Sequence, residues 1–314
     1  MQDLTQICNK TITSIISLYK NGEFASLIKD GKIQTKYTPV EWKLAIISTL
    51  LTVGKILSRH DAIDIAENIL NALEKYKFSD QSSSCLVMDD KSFTPWNAWL
   101  SIIHFKLNNI TQSEMYLSSL LRDIQNPNYI SAYSLRLTPD DIFSENHKIQ
   151  SPCGIIILSL LSAYSHTEKN CYLLSAKAIA NLAISKNRFD PHDIWAMRIL
   201  YDHFKEPEFK LHAEYILSQT DNVSYASMAS LVASMVQQSN LAWVKYIPSR
   251  TSKCKELLKY QISLQCPDGS FARSANNKET RIDYSYQNLL SIIQYEMILK
   301  NPDIDNRTLI NISV

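Results

Sequence analysis

The chain has 314 residues, of which 45% are hydrophobic and 20% are charged, and this composition is typical of a folded protein with a sizeable core. Its 32 Lys and Arg residues against 31 Asp and Glu residues give a net charge of +1, so no bulk field attracts nucleic acid or an anionic membrane. Only 5 glycines are present, fewer than a dinucleotide-binding fold, a phosphate-binding loop or a β-sandwich usually needs. These figures favour a helical protein with short polar connections, which we interpret as a single domain over residues 1–314.

The cysteines and the N-terminus bear on the cellular location. The 6 cysteines show no Cys-x-x-Cys pair and no regular spacing, which favours packed reduced thiols over disulfides. The first ten residues, MQDLTQICNK, lack the charged-then-apolar pattern of a signal peptide. The longest apolar run, 154–161, is far shorter than the roughly 20 residues of a membrane span. We therefore predict a cytoplasmic protein with no membrane span, although export without a signal peptide stays open.

The first part of the chain predicts helices with polar connections. Residues 3–20 show an amphipathic pattern that Asn21-Gly22 ends, and a short helix over 23–29 is expected next. Thr38-Pro39 then opens a strong helix, with Thr38 as the N-cap and Pro39 at the first helical position.

Six of the predicted helices are apolar on nearly every side. They are expected to begin near residues 39, 95, 152, 191, 224 and 283, and each is joined to a more amphipathic helix. This alternation favours about six helical hairpins, in which inner helices form a ring and outer helices cover it. The helix at 3–20 is predicted to be the outer partner of the helix at 283–300. An open α-solenoid built from the same hairpins is the alternative.

One hairpin carries a family resemblance. The segment LLKYQISLQCPDGSF, residues 257–271, resembles the helix-Gln-x-x-Asp-Gly-Ser-aromatic element of α/α-toroid proteins, including terpenoid cyclases and prenyltransferase β-subunits. Similar hairpins occur in toroids that act on polysaccharides. The resemblance covers about one hairpin in six, and it implies an all-α, α/α-toroid fold. It also implies that a ligand cavity is lined by the first turns of the inner helices.

Those first turns supply the candidate binding residues, which are mostly aromatic and include four of the 5 tryptophans. Their rings could stack on sugar faces or stabilise a carbocation by cation–π attraction, but packing between helices is the commoner role of such tryptophans. The predicted binding residues are Trp42, Trp96, Trp99, Trp195, Arg281, Tyr284, Tyr286 and Gln287.

The candidate catalytic residues are Asp283, His192 and Asp193. Asp283 could pair with Arg281 across the turn or serve as the helix N-cap, and it shares a helix face with Tyr286 and Gln287. His192 and Asp193 lie in the first turn of another inner helix, where a carboxylate is favoured and a histidine could act as acid or base. Asp190, just before them, is explained as an N-cap.

No metal site is predicted. Asp140, Asp141 and Glu145 invite comparison with the aspartate-rich motif of class I terpenoid synthases, but a short helix after Thr138-Pro139 accounts for them. The Asp-x-Asp-Asp motif of class II cyclases and the prenyltransferase zinc set are absent, and no two histidines are four residues apart on a helix. The cofactor stays unknown.

Two function classes remain at this point. The first is an α/α-toroid enzyme with an aromatic-lined cavity, either terpenoid cyclase-like or glycan-modifying, which applies acid–base chemistry to an isoprenoid or a glycan. The second is a non-catalytic helical interaction protein that binds a peptide or a protein partner. The Asp-Gly-Ser-Phe hairpin and the apolar inner helices favour the enzyme.

Overall fold

A computed structural model describes residues 3–20, 22–25, 27–29, 32–35, 38–88, 92–125, 153–185, 191–221 and 228–314. The helices of this part are α1 Leu4–Ser17, α2 Val40–Leu57, α3 His60–Glu74, α4 Thr94–Lys106, α5 Ile110–Gln125, α6 Cys153–Thr167, α7 Asn170–Ser185, α8 Pro191–Phe204, α9 Pro207–Gln219, α10 Ser230–Trp243, α11 Arg250–Ser263, α12 Ile282–Lys300 and α13 Asn306–Ser313.

The strands are short. They are β1 Tyr19–Lys20, β2 Glu23–Phe24, β3 Leu27–Lys29, β4 Lys32–Thr35, β5 Lys77–Ser79, β6 Ser84–Leu86, β7 Ala272–Ser274 and β8 Asn277–Arg281. The largest sheet has four antiparallel strands in the order β4-β3-β8-β7, and it joins the two ends of the chain by pairing Leu27 with Arg281.

The chain divides into two compact units. Unit 1 holds residues 1–69, 214–305 and 313, and unit 2 holds residues 70–213, 306–312 and 314. The prediction of a single domain over 1–314 stays a prediction.

In unit 1, α12 is the central inner helix. It packs on α10 to one side and α2 to the other, while α11 covers α10 and α12. The outer partner predicted for α12 is confirmed, because α1 packs on it. Most of α12 from Ile282 to Gln294 is buried, which explains its apolar pattern on nearly every side.

In unit 2, α6 is the central inner helix and packs on α4 and α8. The outer helix α5 packs on α4 and α6, and α7 packs on α6 and α8. Every residue of α4 from Thr94 to Lys106 is buried, and so is every residue of α6 from Ile155 to Leu161. Each unit therefore has buried inner helices covered by outer ones.

Non-glycine residues end several of these helices. Ser58, Asn108, Glu168 and Lys205 have φ between 55° and 58°, the left-handed conformation that more often belongs to glycine. Their turns lie between α2 and α3, α4 and α5, α6 and α7, and α8 and α9. The chain therefore forms tight helical hairpins with few glycines, because non-glycine residues accept the strained left-handed conformation in these turns.

The Asp-Gly-Ser turn of the resemblance is a packed structural element. Ser270 donates its N–H and hydroxyl to Asp268 Oδ1 at 3.0 and 2.7 Å, so Asp268 is a turn residue as predicted. Gly269 has φ +90°, and a Cβ there would overlap the backbone carbonyl of Lys10 in α1. Gln265, just before the turn, donates to Ile7 O at 3.0 Å, so this hairpin is fastened to α1.

Three local predictions were wrong. Residues 23–29 contain strands β2 and β3 where a short helix was predicted, because β3 pairs with the distant strand β8. Thr38 is not an N-cap: Pro39 occupies that position, and the Thr38 hydroxyl donates to Phe24 O at 3.4 Å. The inner helix predicted near 224 begins at Ser230, and residues 222–227, with Tyr225, lie outside the described residues.

Candidate functional site

Arg281 stands at the junction between sheet and helix, as the last residue of β8 and the N-cap of α12. Its Nε and Nη2 donate to the two carboxylate oxygens of Asp283 at 3.0 and 2.8 Å. Its Cζ lies 4.8 Å from the ring centroid of Trp42 and 5.0 Å from that of Tyr284. The guanidinium is therefore fixed by a bidentate ion pair and by two cation–π contacts, while 31% of the side chain remains exposed.

Asp283 is the buried partner in this pair, with a side chain only 3% exposed. The predicted pairing with Arg281 is confirmed, but the predicted N-cap role is wrong. Because β8 runs directly into α12, Arg281 takes the N-cap position and Asp283 lies in the first turn. Burial raises the pKa of Asp283, although Arg281 and the backbone N–H groups of residues 283 and 284 favour the charged form.

Trp42 comes to the cluster from the first turn of α2, and its side chain is half-buried. The sheet brings distant parts of the chain together here, since β3 precedes α2 in the sequence and pairs with β8 at Thr280 and Arg281. Trp42 thus has one ring contact with Arg281 and a part of its surface open to solvent.

Tyr286 and Gln287 extend the cluster along α12. Gln287 follows Tyr286 in the chain, and Gln238 of α10 donates to Gln287 Oε1 at 2.9 Å. Burial, then the charge of Asp283, raises the pKa of Tyr286 far above neutrality, so its hydroxyl keeps its proton. The phenol can therefore serve as a hydrogen-bond donor but not as a base near neutral pH.

We call this set the Arg281 cluster; it consists of Trp42, Gln238, Arg281, Asp283, Tyr284, Tyr286 and Gln287. Six of its members were predicted from the first turns of α2 and α12. Gln238 was missed, since it lies in the middle of a helix of small residues and no local pattern distinguishes it.

The remaining predicted site residues lie in unit 2. The rings of Trp99 and His192 meet edge to face, with centroids 5.7 Å apart. Trp96 packs on Phe93 at 4.5 Å. Asp193 is buried, with 2% of its surface exposed. Trp99 therefore packs between α4 and α8, whereas the contact of Trp96 is local, with the residue just before its own helix.

Trp195, the fourth predicted tryptophan, is completely buried, so a ligand has no access to its ring and we leave it out of the proposed site. The close approach of α6 to α8 explains the packing nearby. A Cβ on Gly154 would lie 2.6 Å from the Cβ of His192 and would overlap the Asp193 backbone. Gly154 therefore fixes the first turn of α8.

Four acidic residues considered in the sequence fall outside the described part of the chain. Asp140, Asp141, Glu145 and Asp190 lie outside it. Within it, no three His, Cys, Asp or Glu side chains come together as a metal site would require. The helices searched there include none with the length and hydropathy to cross a membrane.

Comparisons with known proteins place the fold. No protein-family model matches the chain, and no curated protein matches it in sequence. Solved structures match it over nearly the full length of both chains. A D-mannose isomerase is 12% identical, with a TM-score of 0.69, and the match covers 94% of this chain and 97% of that one.

Two further solved structures are of proteins named for glycans. An inactive variant of the GH76 α-1,6-mannanase of Salegentibacter sp. HEL1_6, in complex with α-1,6-mannotriose, is 11% identical, with a TM-score of 0.65 and coverage of 94% and 100%. An unsaturated glucuronyl hydrolase specific for heparin is 11% identical, with a TM-score of 0.64 and coverage of 95% and 98%. The chain is thus an all-α protein with the α/α-toroid fold, as predicted, rather than an open α-solenoid.

Proposed function

We propose that the chain is a glycan-modifying enzyme of the α/α-toroid type, and that a saccharide binds at the Arg281 cluster. The single observation that carries this proposal is the clamped guanidinium: Arg281 is held by Asp283, Trp42 and Tyr284, yet remains partly exposed. A donor fixed in advance loses little conformational entropy when it binds a ligand. The glycan-acting neighbours of the same fold support the substrate class.

Two members of the cluster, Trp42 and Arg281, offer direct contacts to a ligand. The half-buried ring of Trp42 offers an apolar surface on which a sugar ring can stack. Arg281 forms no hydrogen bond through Nη1 within the described residues, so this atom is available to sugar hydroxyls. The Tyr286 phenol is buried, with 5% of the residue exposed, so we assign it to the packing of α12 rather than to contact with the ligand.

The Arg281 contact limits Asp283 as an acid–base group, even though burial raises its pKa. Both of its oxygens accept hydrogen bonds from Arg281, which hold the carboxylate in place. A proton transfer from Asp283 to a substrate requires the Arg281 contact to loosen first. We therefore assign Asp283 to holding Arg281, and its acid–base role, like those of His192 and Asp193, stays a prediction.

The other substrates predicted from sequence have less support. An isoprenoid substrate would leave the hydrogen-bond donors of the cluster without partners, and the terpenoid cyclase-like activity therefore stays a prediction. A non-catalytic interaction protein was expected to show solvated acids, whereas Asp283 is buried and paired. A glycan satisfies both the aromatic ring and the donors.

The test is a binding experiment with purified chain. Neutral oligosaccharides, including α-1,6-mannotriose, are titrated by calorimetry against the wild type and against Trp42→Ala and Arg281→Met. We expect binding that weakens at least about tenfold in each variant, since each removes one main contact. Tyr215→Ala, at an exposed aromatic residue 49% accessible in unit 1, is the matched control and should bind as the wild type does.

Binding alone does not show catalysis. Any saccharide that binds is then incubated with the chain, and the products are identified by mass spectrometry and NMR, which detect cleavage and isomerisation respectively. The proposal predicts turnover of at least one bound sugar. Failure of all saccharides to bind, or equal binding by all variants, would refute the assignment of the Arg281 cluster.

A further inference from the structure

A cleft of about 400 Å³ lies within unit 2, whereas the Arg281 cluster belongs to unit 1. The C-terminal ends of α6 and α8 form part of its lining, and the helix α13 forms the rest. The lining residues that matter for its chemistry are Tyr164, Glu168, His203, Asn306, Arg307 and Ile310. A space of this size suits a small molecule. We call it the α13 cleft.

Two side chains of opposite charge line the α13 cleft without an ion-pair partner. Glu168 and Arg307 are both exposed, and neither side chain forms a hydrogen bond or an ion pair with another residue in the described part of the chain. The charges at the end of α8 differ in this respect, since Asp202 accepts from Arg198 at 2.8 Å and lies 3.5 Å from Lys205. The cleft therefore offers a ligand one carboxylate and one guanidinium.

The helix ends that line the cleft carry partial charges of the same signs. Helix α6 ends at Thr167 and α8 ends at Phe204, so their last carbonyl groups add partial negative charge to the part of the lining that contains Glu168. Helix α13 begins at Asn306, so its first N–H groups add partial positive charge beside Arg307. The cleft is therefore polarised from α6 and α8 towards α13.

The other lining residues are uncharged near neutral pH. The rings of Tyr164 and His203 meet edge to face, with centroids 5.4 Å apart, and the buried side chain of Ile310 adds an apolar surface. Burial lowers the pKa of His203, so its imidazole is largely neutral at pH 7. Arg307 is thus the cation of this lining, and Glu168 is its anion.

We propose that the α13 cleft binds a free amino acid, whose ammonium group pairs with Glu168 and whose carboxylate pairs with Arg307. A ligand with a single charge would leave one of these two side chains unpaired and would be repelled by it or by the helix ends beside it. A small zwitterion satisfies both charges at once, and its carbon chain can contact Tyr164 and Ile310. This inference concerns unit 2 and does not rest on the saccharide site proposed for unit 1.

The experiment measures binding to the purified full chain by ligand-observed NMR. The probes are the standard amino acids together with β-alanine and 4-aminobutanoate, which place the two charges further apart. The tightest binder is then compared with its N-acetyl derivative, which lacks the ammonium group, and with its amide, which lacks the carboxylate. We expect each blocked derivative to bind about threefold or more weakly than the amino acid, because each loses one charge pair in a partly exposed cleft.

Two charge variants assign the two ends of the ligand separately. Glu168→Gln should narrow the affinity ratio between the amino acid and its N-acetyl derivative, and Arg307→Gln should narrow the ratio between the amino acid and its amide. Both side chains are exposed, so we expect both variants to fold as the wild type does. The matched controls are Glu208→Gln and Lys75→Gln, at exposed residues of unit 2 outside the lining, and they should leave both ratios unchanged.

Three results would overturn the inference. The first is that none of the amino acids binds. The second is that a blocked derivative binds as tightly as the amino acid, because the cleft would then recognise one charge alone. The third is that Glu168→Gln and Arg307→Gln leave both ratios as they are, which would place any bound amino acid elsewhere on the chain. None of these results bears on saccharide binding at the Arg281 cluster.

Discussion

Gly269→Ala is expected to destabilise the chain by two separate effects. Gly269 has φ +90°, and a side chain in the left-handed region costs about 1–2 kcal/mol, partly offset by roughly 0.4–1 kcal/mol from the less flexible unfolded state. The new Cβ would also lie 2.6 Å from the carbonyl carbon of Lys10, and such overpacking costs about 1–3 kcal/mol. Together these effects predict a loss of about 2–4 kcal/mol.

Gly22→Ala separates the two effects. Gly22 has φ +86°, but a Cβ there would meet nothing within 4 Å, so only the backbone strain applies. We expect a loss of about 1 kcal/mol or less in this variant. Urea unfolding of both variants and the wild type, followed by circular dichroism, measures the difference in free energy. Equal losses would refute the reasoning, because they would show that the contact with Lys10 contributes nothing.

Three other changes test separate parts of the structure. Gly154→Ala should destabilise the chain by about 2–3 kcal/mol in urea unfolding, because its Cβ would overlap the backbone of α8. Gly54→Ala should cost less than Gly154→Ala, because its Cβ would meet Ile63 Cγ1 at 2.9 Å and Arg59 O at 3.1 Å and so needs a smaller shift of its neighbours; a reversed order would contradict this packing. Glu168→Gly should raise the free energy of unfolding by about 0.5–1 kcal/mol, because glycine adopts the left-handed conformation without strain. A lower free energy of unfolding in this variant would contradict the prediction. A thiol reagent should label exposed Cys171 well before Cys254, because burial raises the pKa of Cys254 to about 12; similar rates would disprove this.

The inner helices could be predicted from local sequence because their start signals are local. Proline at the first helical positions and apolar residues on every side place α4 and α8 within one residue of where the structure has them. The strand β3 could not be predicted in this way. Its partner β8 is near the other end of the chain, and a three-residue strand has no pattern of its own.

The sequence predicts most of the residues that belong to the candidate site, but not how they are arranged. The first-turn rule and the spacing on α12 identified Trp42, Arg281 and Asp283, and the short separation of Arg281 from Asp283 predicted their pairing. No local pattern shows that Trp42 contacts Arg281, because the sheet brings them together from distant parts of the chain. The bidentate pair that fills both oxygens of Asp283 likewise depends on where β8 ends.

The most direct test of the account is a crystal structure of the chain with a neutral oligosaccharide that calorimetry has shown to bind. The account predicts a sugar ring against Trp42 and a hydroxyl within hydrogen-bond distance of Arg281 Nη1, with the Arg281–Asp283 pair intact. A saccharide bound elsewhere, with the Arg281 cluster empty, would contradict the account.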